Sequence, residues 1–94
     1  MKLEDAKNIL SSGKGSLRCG EVKDILEELG FTLRKTKKGH YVYKHRGLDG
    51  YPGGNFCCPH KTGAPVKKSY ITDILRDMRE FESDLLTYLG DEDD

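Results

Sequence analysis

His40 stands directly behind Lys37, Lys38 and Gly39 in the stretch RKTKKGHYVYKH, with His45 five residues further on. An imidazole beside a cluster of cations can cleave RNA by promoting attack of a 2′-hydroxyl on its own phosphate. The imidazole takes the hydroxyl proton, and the cations stabilise the charge that gathers on the phosphorane-like transition state. Neighbouring cations also favour the neutral, proton-accepting form of a histidine. Such a site needs no metal-binding carboxylates, which suits a segment whose one acid is Asp49, and no cofactor is expected. Arg34, Lys35, Lys37, Lys38, Lys44 and Arg46 supply the phosphate-binding charge. The competing reading is a solvated basic loop that carries an incidental histidine.

Metal binding is the rival chemistry. Cys19, Cys57, Cys58, His40, His45 and His60 are potential ligands, and Cys57-x-x-His60 has usable spacing. Adjacent Cys57 and Cys58 on a strand point to opposite faces, however, and no second CxxC completes a tetrahedron. No metal is therefore assigned, and small buried thiols are the default. Three cysteines, two of them adjacent, fit reduced thiols in a cytosol better than a disulfide framework.

The net charge of zero conceals strong segregation. Residues 31–68 hold nine basic residues against Asp49, whereas residues 69–94 hold Arg76 and Arg79 against nine acids. A basic surface for a polyanion, with an acidic tail at residues 90–94, is the sharper interpretation. The plainer one is that the last helix has a solvated acidic face. No P-loop, zinc-finger spacing or RNP-type motif occurs.

These side chains must be positioned by few elements, since 94 residues make a single domain (1–94) with a modest core. Leu3, Ala6 and Leu10 predict a short helix over residues 3–11, within an N-terminal extension of 1–18. Val22, Ile25, Leu26 and Leu29 predict a second helix over 19–29, ended by Gly30. Strands are expected at 31–36, 40–46 and 55–58, the first two joined by Lys37-Lys38-Gly39. Ser69 is expected to cap a long final helix whose stripe runs from Ile71 through Ile74, Leu75, Met78, Phe81 and Leu85 to Leu89. The fold class is thus α+β, a two-layer sandwich of three antiparallel strands with helices on one face.

Alternation puts His40, Val42 and Lys44 on one side of their strand and Tyr41, Tyr43 and His45 on the other. Either set could face the core. In both cases His40, at the strand's start, is expected to be reachable. No apolar run approaches a membrane span, and the opening MKLEDAKNIL lacks the apolar stretch of a signal peptide. The expected setting is cytoplasmic, with no membrane partner.

The order EVKDILEELGF, then RKTKKGHYVYKH with the histidine nine residues after that Phe31, then NFCCPH and VKKSYITDIL, resembles the HicA family of bacterial toxins. The likeness covers residues 21–78. It implies a double-stranded-RNA-binding-domain-like α-β-β-β-α fold, here with an extra N-terminal helix. It also implies a metal-independent mRNA interferase from a toxin–antitoxin pair, neutralised by a HicB-type antitoxin that covers the active site. The family's catalytic histidine falls on His40, with His45 and His60 as possible accessories. The alternative on the same surface is a module that binds structured RNA without cutting it.

Overall fold

Helix α1, Leu3–Ser12, forms because Leu3, Ala6 and Leu10 recur on one face, and all three are buried. It contributes to the core, packing against the two C-terminal helices. The computed structural model that defines this arrangement describes residues 1–59 and 63–90. Helix α2, Cys19–Glu28, buries Val22, Ile25 and Leu26. The Glu21 carboxylate accepts the Arg18 backbone N–H at 3.0 Å, satisfying a donor at the helix start.

The end of α2 sets the direction of everything that follows. Gly30 adopts φ 94°, the Phe31 N–H reaches the Leu26 carbonyl at 3.0 Å, and the Gly30 N–H reaches Glu27 at 3.0 Å. This left-handed cap turns the chain into the sheet and buries Phe31 beneath it.

Strands β1 (Thr32–Lys35), β2 (His40–Lys44) and β3 (Gly54–Cys57) form an antiparallel meander in the order β1-β2-β3. Arg34 pairs with Val42, Lys35 with Tyr41, Tyr43 with Gly54, and His40 with Cys57. Tyr43 and Phe56 are fully buried, so the face bearing Leu33, Tyr41, Tyr43 and Phe56 is the one the helices cover. Helix α2 lies under β1, and α3 (Lys68–Glu80) lies under β3. The other face, with Arg34, His40, Val42 and Lys44, is open.

Three expectations are corrected here. The last apolar stripe is divided between α3 and α4 (Glu82–Leu89), with Phe81 (φ −109°, ψ 23°) between them. The Phe81 ring packs edge-on against Tyr51, with centroids 5.0 Å apart. The bend folds α4 back onto α1, which buries Leu85 completely and pairs Lys7 with Glu82. A helix running straight on would have carried Leu85 away from the core. In addition, α3 starts at Lys68 with Lys67 as its N-cap residue, so Ser69 lies inside the first turn and does not cap it.

The third correction concerns the thiols. Cys19 and Cys58 form a disulfide across a Cα separation of 5.5 Å, and Cys57 is free. They are 39 residues apart in the chain, and only the stacking of the sheet on α2 brings them together. Among the described residues no helix is long and apolar enough to cross a membrane.

Candidate nucleic-acid interface

The β1–β2 hairpin builds the site. The Thr36 N–H donates to the His40 carbonyl at 2.7 Å, the Gly39 N–H donates to Thr36 at 3.2 Å, and Gly39 has φ 80°. A turn closed by a left-handed glycine is a standard three-residue hairpin loop, and it fixes the residue at which β2 begins. That residue is His40. Lys37 and Lys38 are left exposed at the tip, next to it.

Strand pairing then distributes the charge. Arg34 and Lys44 flank Val42 on the open face, in a shallow hollow of about 280 Å³ lined by Thr32, Arg34, Val42 and Lys44. A neighbouring hollow of about 340 Å³ continues past Lys44 to Arg46. Arg34 is diagonal to His40 across the ladder, roughly 7–8 Å away at the backbone. Lys44 is four residues along the same strand, about 13 Å from His40. Arg34, Lys37 and Lys38 are therefore the cations nearest His40, while Lys44 and Arg46 stand further along the face. Lys35, in register with Tyr41, lies on the helix-covered side at the sheet's end and so does not face the open surface.

Arg34, Lys35, Lys37, Lys38, Lys44 and Arg46 are all exposed, and none is ion-paired with a carboxylate among the described residues. Unpaired, exposed cations are available to neutralise phosphates. The His40 ring makes no hydrogen bond to any described residue, so both nitrogens are open to a ligand. Among the described residues, no carboxylate orients it.

His45 has a different place. It is 7% exposed, its Nε2 lies 2.9 Å from the Leu29 carbonyl oxygen, and its Nδ1 accepts the Gly47 N–H at 3.0 Å. Those partners define a neutral ring that donates through Nε2. The ring also stacks edge-on against Phe31 and Tyr88, at 4.7 and 4.5 Å between centroids. It ties the end of β2 to the end of α2, on the side of the sheet opposite His40. His60 lies outside the described residues.

One neighbour of His40 was weighed from the sequence only as a potential metal ligand. Cys57 is its direct partner across β2 and β3. The Cys58 N–H bonds to the Gly39 carbonyl at 3.1 Å, which makes His40 and Cys57 a non-hydrogen-bonded pair. In such pairs the side chains come closest. Counting back from Gly39 through a hairpin would have found it only with the register already known. Among the described residues, no three His, Cys, Asp or Glu side chains converge as metal ligands.

No protein-family model, curated protein or solved structure matches the chain.

Proposed function

We propose that this chain is an RNA-cleaving domain of HicA type, acting from the open face of its sheet. The observation that carries this reading is the position of His40: without a side-chain hydrogen bond among the described residues, at the end of a hairpin whose tip is Lys37-Lys38, and diagonal to Arg34. His40 removes the proton from a ribose 2′-hydroxyl, whose oxygen attacks the adjacent phosphorus. The bond to the 5′-oxygen then breaks, and that oxygen takes a proton from the imidazolium or from water, leaving a 2′,3′-cyclic phosphate. Arg34, Lys37 and Lys38 hold the reacting phosphate. Lys44 and Arg46 hold its neighbours.

On this reading α2, the meander and α3 form the double-stranded-RNA-binding-domain-like α-β-β-β-α unit, with α1 and α4 added to it. The substrate is mRNA in the cytoplasm. A HicB-type antitoxin would silence the protein by covering the open face.

The test is a gel assay in EDTA with total RNA, comparing the wild type with a folded His40→Ala variant. Wild type should cut and leave cyclic phosphate ends, and the variant should be slower by roughly 10²–10⁴-fold, the usual worth of a positioned acid–base group. Equal cutting by both would remove His40 from the chemistry.

A second reading, a binder of structured RNA, is favoured by the lack of a carboxylate to orient His40 among the described residues. It requires intact RNA in both lanes and binding that survives His40→Ala. In either case, replacing Arg34 or Lys44 by Gln should reduce the dependence of log affinity on log salt by about one per residue.

A further inference from the structure

Strand β3 is an edge of the sheet, and the ladder phase shows which of its groups are free. The Cys58 N–H to Gly39 bond places residues 54, 56 and 58 in the hydrogen-bonded pairs with β2. The N–H and C=O groups of Asn55 and Cys57 therefore point outward, and they have no backbone partner among the described residues. A row of this kind is a template for another strand.

Helix α3 runs alongside that edge with a groove between them. One part, about 540 Å³, lies between Gly53, Gly54 and Asn55 on the strand side and Tyr70, Asp73, Arg76, Asp77 and Glu80 on the helix side. A second part, about 120 Å³, lies between Cys57 and Pro59 and the helix residues Lys67 and Tyr70. Tyr70 belongs to both, so the groove follows β3 along its length. In its larger part three carboxylates stand against one guanidinium. Arg76 is already engaged by Asp73 at 3.4 Å and Asp77 at 3.8 Å, whereas Glu80 is exposed.

We propose that this groove docks an extended, basic segment of a partner protein, which adds to β3 as a fourth strand. Main-chain bonds to Asn55 and Cys57 give the affinity, and Asp73, Asp77 and Glu80 select arginine or lysine on the helix side. Charge decides against a symmetric pair of copies. Joining β3 to β3 would bring the groove carboxylates Asp73, Asp77 and Glu80 of two copies together, and juxtaposed like charges disfavour a complex. The groove borders the open face, since Cys57 lines its smaller part and is paired with His40, but this inference does not rest on RNA cleavage.

Three blocked nine-residue probes test it against the isotope-labelled full chain by NMR. The first alternates valine and threonine with arginine. The second carries glutamate in place of arginine, and the third is the basic peptide with N-methylated backbone amides. The basic probe should shift the amides of Asn55, Cys57 and residues 70–80, and the other two should not. The Asp73→Asn/Glu80→Gln double variant should weaken binding by about tenfold or more. Asn55→Pro, which removes an outward N–H at an edge position where proline is tolerated, should abolish binding while the thermal midpoint is retained. Equal binding of the glutamate or N-methylated probe would overturn the proposal. So would shifts confined to the open face, or concentration-dependent self-association that occupies the β3 edge without any peptide.

Discussion

His40 and Cys57 face each other across β2 and β3 as a non-hydrogen-bonded pair on the open side of the sheet. The free thiol is thus a handle within reach of the proposed catalytic imidazole, and the other two cysteines are joined in the disulfide.

Alkylating Cys57 with N-ethylmaleimide should therefore block RNA cleavage in the wild type by bulk alone. Cys57→Ser should cut normally and resist the reagent. If the alkylated wild type cuts at the full rate, the open face near His40 is not where RNA reacts.

The two histidines should separate cleanly. His40→Ala should leave stability within about 0.5 kcal/mol, as expected for a side chain without hydrogen-bond partners among the described residues. His45→Ala removes a buried ring, leaves the Leu29 carbonyl and Gly47 N–H unsatisfied, and should cost about 2–4 kcal/mol. Urea denaturation of both variants checks this, and similar losses in the two would contradict the opposite placements described above.

Gly30 is constrained twice, by its φ of 94° and by a Tyr88 ring atom 2.3 Å from where a Cβ would stand. Gly30→Ala should cost about 2–4 kcal/mol, from the left-handed backbone together with overpacking. In a Tyr88→Ala background the same change should cost visibly less, leaving mainly the backbone part. Additive effects in this double-mutant cycle would show that the ring yields freely.

The disulfide should be measurable without mutation. Thiol titration of the folded, unreduced chain should count one reactive cysteine, Cys57, and reduction should expose three. Closing a loop of 39 residues is worth roughly 4 kcal/mol by chain entropy, so Cys19→Ser/Cys58→Ser should lose up to about that much. Three free thiols before reduction would mean that the pair is open in solution.

Burial holds the Asp77 carboxyl above its ordinary value of 3.8, although Tyr51 donates to it at 2.9 Å. The native state then keeps a proton that the unfolded chain has already released. Stability should fall as pH rises from about 3.8 through the raised native value, and be flat in this respect above it. Asp77→Asn removes that fall, so its stability relative to wild type should climb with pH across this window. A constant offset between the two would contradict the assignment.

Much of this was legible in the residues alone. The spacing of Leu3, Ala6 and Leu10, of Val22 to Leu29 and of Ile71 to Met78 determined the helices, because an amphipathic face must find a core. Gly30 and Gly39 marked two of the places where the backbone turns left-handed, and the second fixed His40 at a strand's start. Charge segregation located the basic hairpin. Other features depend on contacts between segments far apart in the chain. Which face of β2 is buried was left open by alternation, and only packing on α2 and α3 decided for Tyr43. That choice put His40 with Arg34 and Lys44, sent Lys35 to the other side, and made His45 a clamp on α2. The break at Phe81, the Cys19–Cys58 bond and the pairing of His40 with Cys57 have the same origin. Local propensity specifies elements, but register and layer stacking specify which side chains meet.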